Sequence, residues 1–175
     1  MDVNELIKRA DSYYLKALEL LETKDFYDAA EKAWLAIETL RKAFLVALGV
    51  PYDKAKSINY ALPLLSKLMR GLGLKTVLRD YEWFHHKLHA MGFYENITPI
   101  DEIITIIKED VKKWIENMKN VIRKINKLDI SEVVREYEKA IQVKRELLSK
   151  NLELLEIYKN IDTILNKIAT TSKLK

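Results

Sequence analysis

Apolar residues in this chain recur every three or four positions and rarely every two, the period of helices laid against a core. The first stripe runs through Leu6, Ala10, Tyr13, Tyr14, Ala17, Leu20 and Leu21. Asp2 with Glu5 gives it a capping-box-like start, since the Asp side chain accepts from orphan N–H groups of the first turn. The pattern predicts a helix ending near Glu22. Asp25 is the next candidate N-cap, followed on one face by Phe26, Ala29, Ala30, Ala33, Trp34, Ile37, Leu40, Phe44 and Leu48. Its small residues admit a neighbouring helix closely. Gly49 and Pro51 close it, Gly by accepting left-handed geometry and Pro by refusing continuation.

A third helix is predicted from about Tyr60 to Arg70, with Pro63 in its first turn and Gly71 and Gly73 after it. A fourth, from about Leu74 to Ala90, is predicted to stop at Gly92. Thr98-Pro99-Ile100-Asp101 is the clearest start: a Thr cap, Pro at the first helical position, and Asp101 and Glu102 against the positive dipole end. No Gly or Pro follows, and Asp129 with Glu132 predicts a break near Leu128. In the tail, Val134, Tyr137, Ile141, Leu148, Leu152, Leu155, Tyr158, Ile161, Leu165 and Ile168 trace one long amphipathic helix, or two breaking near Ser149 to Asn151. That stripe packs on its own domain or on a second subunit. The expected organisation is an all-α protein, with a bundle over residues 1–127 and a C-terminal long helix or helical hairpin over 128–175.

Composition narrows the chemistry. Hydrophobic residues make up 49% of 175, enough for a core, and only 4 Gly and 3 Pro weigh against a β-rich fold. With no Cys, disulfides, thiolate nucleophiles and Cys-based metal sites are excluded. Abundant Lys, Glu and Ile beside a single Gln is a composition associated with high-temperature origin. The acidic N-terminus lacks a secretory signal, and no apolar run approaches the roughly 20 residues that span a bilayer. A cytoplasmic protein with no membrane partner is expected. The net charge of +4 is modest but uneven. From Lys54 to Arg79 stand six basic residues (Lys54, Lys56, Lys67, Arg70, Lys75, Arg79) and no acidic one, and Lys108 to Lys127 adds seven against three. These are solvated helix faces or a surface for an anionic partner such as RNA or a nucleotide, with Lys67, Arg70, Lys75 and Arg79 as the candidate contacts.

All three histidines fall in one window, Arg79-Asp80-Tyr81-Glu82-Trp83-Phe84-His85-His86-Lys87-Leu88-His89. On a helix, Glu82, His85 and His89 share a face and His86 lies beside them. Three readings compete. Two imidazoles and a carboxylate can hold zinc, although no second helix supplies an evident further ligand. Histidine can move a proton near neutrality while an Arg fork holds a phosphate, so Arg79 with the histidines can act on a phosphodiester. Histidines beside Trp83 and Phe84 can also simply pack between helices. No Gly-rich phosphate loop or Gly-flanked nucleophilic Ser is present, and no cofactor is implied.

Two elements carry a resemblance. Ala30-Glu31-Lys32-Ala33-Trp34-Leu35-Ala36, and Lys87-Leu88-His89-Ala90-Met91-Gly92-Phe93-Tyr94-Glu95, resemble the archaeal PaREP family, a branch of the HEPN superfamily. The resemblance covers about residues 1 to 127. It implies a four- or five-helix antiparallel bundle, usually a homodimer. It also implies a metal-independent ribonuclease motif of Arg, four to six residues, then His. Arg79 with His85 or His86 fits that motif, Arg79 holding the scissile phosphate and the His assisting the ribose 2′-hydroxyl. The family-like Leu-His element points instead to His89, which has no Arg at that spacing. The resemblance therefore leaves open a ribonuclease using Arg79, His85, His86 and His89, or a non-catalytic module for interaction or dimerisation.

Overall fold

The computed structural model describes residues 1–56 and 75–125, together with 132, 135–136, 139, 156–157 and 159–167 of the tail. Every regular element among them is helical. They are α1 (Val3–Glu22), α2 (Phe26–Ala47), the single turn α3 (Tyr52–Ala55), α4 (Lys75–Phe84) running into a π-helix π1 (His85–Tyr94), and α5 (Ile100–Thr105), π2 (Ile106–Val111) and α6 (Lys112–Ile125) in series. Continuous winding joins these into four rods: α1, α2, α4–π1 and α5–π2–α6.

The rods are antiparallel, as pairwise contacts show. The α2 and α4–π1 rods meet through Glu38 with Tyr81, Trp34 with His85, and Glu31 with His89, so one number falls as the other rises. Tyr14 donates to the Ile107 carbonyl at 3.2 Å, while Asp11 pairs with Lys119, which sets α1 against the π2–α6 rod in the same sense. The molecule is an all-α antiparallel bundle, as the stripes predict.

The α2 helix is its axis. Ala29, Ala30, Ala33, Ala36 and Ala43 are fully buried, and this small-residue face lets α1 and π1 approach closely. Ile37, Leu40, Phe44 and Leu45 fill the remaining volume from α2, met by Ile107, Val111, Met118 and Ile122 from the fourth rod.

The predicted boundaries of the first two helices hold to within a residue or two, for partly different reasons. The α1 start is a true capping box: Glu5 N–H donates to Asp2 Oδ1, and Asp2 N–H to Glu5 Oε2, each at 2.9 Å. Asp25 precedes α2 but makes no side-chain cap. Gly49 ends α2 at φ 90°, with Val50 N–H donating to Leu45 O at 3.0 Å. The end of α1 uses the same closure without glycine, Lys24 taking φ 62° while Asp25 N–H donates to Leu20 O at 2.9 Å.

Two expectations require correction. Gly92 does not stop the fourth helix, because the rod has loosened into π winding and runs on to Tyr94. A Cβ at Gly92 would stand 2.9 Å from Lys87 O and 3.2 Å from Ala30 Cβ, so this glycine serves close approach to α2 rather than termination. Asn96, at φ 55°, closes the rod, its amide donating to the carbonyls of Gly92 (3.1 Å) and Phe93 (2.9 Å). Thr98 does not cap the next helix either. It is buried and its hydroxyl donates to Lys87 O at 2.9 Å, while Pro99 stands just before α5. The predicted Tyr60 to Arg70 helix, and most of the predicted tail stripe, lie outside the described residues. Of that stripe, Ile161 and Leu165 are described and buried, four apart on a helix; Ile157, which the stripe did not include, is buried as well.

Candidate nucleic-acid interface on the histidine helix

The α4–π1 rod presents two chemically different sides. On the α2 side, Tyr81, His85 and His89 follow one another at four-residue intervals and surround the Trp34 ring. Centroid distances from Trp34 are 5.2 Å to Tyr81, 5.0 Å to His85 and 5.6 Å to His89, the last nearly stacked at 30°. The His85 and His89 rings are 5.4 Å apart. Tyr94 closes the row edge-on to His89 at 4.8 Å. An α-helix turns about 100° per residue and would carry a side chain five positions on well away from its starting line. The wider π turn brings i and i+5 back into line, so π winding places Tyr94 over His89.

Beneath this row lies a buried ionic network. Arg41 is 0% exposed and forms a bidentate pair with Glu38, Nε to Oε2 at 2.7 Å and Nη2 to Oε1 at 2.6 Å. Tyr81 donates its hydroxyl to Glu38 Oε2 at 2.8 Å. Burial pushes the Glu38 carboxyl up, but hydrogen bonds and charge from Arg41, helped by Lys42 and Tyr81, outweigh it and hold the group below the ordinary carboxylate range. Burial and the adjacent Glu38 charge raise the Tyr81 phenol well above the ordinary tyrosine value, so it remains a donor. Arg41 Nη1 is buried without a hydrogen-bond partner among the described residues.

His89 Nδ1 lies 2.7 Å from Glu31 Oε2. A carboxylate only accepts, so Nδ1 carries the hydrogen of this contact. Partial burial, the neighbouring His89 and His86 lower the His85 pKa, and Glu38 only partly opposes them. Glu82 is exposed; the carboxylates that meet the histidine row come from α2 instead, as Glu31 and Glu38.

The other side of the rod faces the fourth rod across an open cleft of about 500 Å³. Arg79, Trp83 and Phe84 line it from α4, with Asp110, Lys113 and Trp114 opposite. Arg79 is 77% exposed, and its Nε and Nη2 donate to Asp80 Oδ1 at 3.3 and 3.2 Å. His86 is exposed and lies seven residues beyond Arg79, about two turns along the rod and so on the same side.

The candidate residues are thus divided. Arg79 and His86 share one side, while His85 and His89 share the other with Trp34. Lys67 and Arg70 lie outside the described residues; Lys75 opens α4. Among the described residues no three His, Asp or Glu side chains converge as ligands of a metal would, and no helix is long and apolar enough to cross a membrane.

Sequence reasoning missed Glu31, Glu38 and Arg41. A signal existed: Glu38 and Arg41, three apart, interrupt the apolar face formed by Ile37, Leu40 and Phe44, and charges so placed must pair if buried.

Comparison with known proteins returns no matching curated protein and no matching solved structure. The family model for the HEPN domain matches residues 3–128, a span that opens with α1 and closes just beyond α6. That span is most of the chain, and the four antiparallel rods described within it form a helical bundle of the kind the resemblance implied. The chain belongs to the HEPN domain family.

Proposed function

We propose that the protein binds RNA or a nucleotide along the exposed side of the α4–π1 rod and cleaves the RNA backbone without a metal, with Arg79 and His86 as the working pair. The carrying observation is their placement: both are exposed, two turns apart on one side of a continuous rod, beside the partly exposed Trp83. His86 takes the proton of a ribose 2′-hydroxyl and the freed oxygen attacks phosphorus. The 5′-oxygen then leaves, taking a proton from water, to give a 2′,3′-cyclic phosphate and a 5′-hydroxyl. Arg79 exchanges the Asp80 carboxylate for the phosphate, whose geometry suits its planar fork. His85 and His89 support the rod through Trp34 and Glu31.

HEPN domains commonly dimerise, and a homodimer in the cytoplasm, two such rods presenting two Arg79–His86 pairs, belongs to this reading. So does membership of the archaeal PaREP branch. In its favour, the two sequence elements that carry that resemblance meet in space, Glu31 and Trp34 from one touching His89 from the other.

A second reading, binding without cleavage, is favoured by the pairing of Arg79 with Asp80 and by the absence of a histidine lining Arg79's cleft among the described residues. Labelled single-stranded RNA incubated with protein in EDTA separates the two. Chelator-resistant cleavage is expected, lost by about 100-fold or more in Arg79→Ala and His86→Ala. Folded His85→Ala and His89→Ala should keep most of it. RNA bound but uncut supports the second reading. Identical background in every sample overturns the nuclease, and chelator-sensitive cleavage points to a metal.

A further inference from the structure

The cleft beside Arg79 has walls that the cleavage chemistry does not use. Phe84 and Trp114 are buried at its base, meeting edge to face at 6.1 Å and 80°. Trp83 stands against Phe84 at 5.2 Å and is 39% exposed, so part of its indole surface meets solvent at the rim. Asp110 and Asn117 reach the same space from the fourth rod, both exposed, as is the Lys113 cation. A carboxylate offers acceptors only, and an amide offers both a donor and an acceptor. The cleft therefore combines a flat apolar surface, a polar edge rich in acceptors, and two cations, Arg79 and Lys113.

A nucleobase with its attached phosphate uses all three features. Its face stacks on an indole, its N–H groups meet a carboxylate, and its phosphate meets Arg and Lys. The volume, about 500 Å³, falls within the range of small-ligand sites. Asp110 also discriminates among bases. Guanine presents adjacent ring and exocyclic N–H groups that can engage both carboxylate oxygens. Uracil presents one N–H flanked by two carbonyl oxygens, which a carboxylate repels.

We propose that this cleft is a base-specificity pocket in which one unstacked base of single-stranded RNA lies against Trp83, its edge read by Asp110 and Asn117 and its phosphate held by Arg79 and Lys113. Guanine is the preferred base and uracil the poorest. The inference rests on the RNA reading above and adds to it the side of the strand that is read and the residues that read it. It also accounts for an exposed tryptophan beside a salt-bridged arginine, which packing alone does not require.

The test is equilibrium binding of the full chain, in EDTA, to two fluorescein-labelled RNAs whose 2′-hydroxyls are methylated so that they cannot be cut: a uracil tract, and the same tract with one central guanine. Wild type should bind the guanine-bearing strand about tenfold more tightly, the scale of one well-made base contact. Trp83→Ala should weaken binding of that strand by about tenfold, and Trp83→Phe should restore much of the loss. Asp110→Asn should compress the preference for guanine from both sides, weakening the guanine-bearing strand and tightening the plain tract, because the carboxylate that repels uracil is gone. Thermal unfolding of each variant checks folding, and the exposed Asp110 keeps the test decisive if Trp83→Ala is unstable. Wild-type binding with no response to Trp83→Ala or Asp110→Asn overturns the pocket and leaves the RNA reading standing. No binding of either strand by wild type overturns both.

Discussion

One rod carries two faces that differ in almost every physical respect. On the α2 side, Tyr81, His85 and His89 pack on the Trp34 ring at 5.0–5.6 Å, and Tyr81 and His89 also bond the carboxylates of Glu38 and Glu31. On the other side, Arg79, Trp83 and His86 stand in or near solvent, and among the described residues Arg79 pairs in charge with its neighbour Asp80. The difference shows that histidine clustering in the sequence mixes two roles. A four-residue spacing from a buried tyrosine gives rings that pack on Trp34, although His85 keeps an exposed edge, whereas a seven-residue spacing from an exposed arginine gives a histidine turned away from that ring.

The comparison breaks most severely at Glu38 and Arg41. Removing one member leaves the other charge buried and uncompensated, which costs about 3–5 kcal/mol, whereas replacing both with apolar residues of similar size is often neutral or better. Arg41→Met and Glu38→Leu should each lower the unfolding free energy by about that amount, and the double variant should recover most of it. Chemical denaturation of the four proteins as a double-mutant cycle measures this. On the opposite face, Arg79→Ala and His86→Ala should each fall within about 0.5 kcal/mol of wild type, as surface substitutions do. Equal losses on the two faces would show that the contrast is false.

A smaller loss is expected where π1 touches α2. Alanine exceeds glycine in helix propensity by about 1 kcal/mol, which alone would make Gly92→Ala stabilising. Against that, the new methyl would lie 2.9 Å from a backbone carbonyl that cannot swing aside and 3.2 Å from Ala30. Overpacking of this kind costs roughly 1–3 kcal/mol, so net destabilisation is expected. Because Gly92 follows His89 within the same π segment, the strain should also disturb the stacked rings, read as a change in Trp34 fluorescence. A gain in stability with unchanged fluorescence would mean that the segment relaxes to ordinary α winding.

Much of the bundle was legible because its causes are local. The capping box at Asp2 and Glu5, the apolar stripe of α2 and the closure at Gly49 need only nearby residues. What escaped was set at longer range. Reading Gly92 as a stop followed from the usual cost of glycine in a helix. Its actual role depends on Ala30, sixty-two positions earlier in the chain and in contact only once the rods have docked. The π winding likewise leaves no period of its own in an eleven-residue window, so Glu82 was expected beside His85 and His89, where the fold places Glu31 and Glu38. For the candidate site the residue types were legible and the pairing was not. Arg79 with His85 and Arg79 with His86 both satisfy the spacing, and only the position of Trp34 shows which histidine faces α2.

The smallest expected effect is the most specific to the fixed face. Partial burial, first, and then the proximity of His89 and His86 lower the His85 pKa below its ordinary 6.5, with Glu38 opposing. Between the folded-state value and 6.5 the unfolded chain therefore binds more protons at this position than the folded one. His85 contributes no destabilisation above about pH 6.5, and its penalty grows as pH falls through the window below. A His85→Gln variant lacks this titration, so the gap in unfolding free energy between variant and wild type should shift in the variant's favour on acidification. Carboxylates titrating in the same range contribute to both proteins and cancel in the difference. If the gap between His85→Gln and wild type does not change with pH, the rings around Trp34 do not confine His85, and the electrostatic side of the contrast is lost.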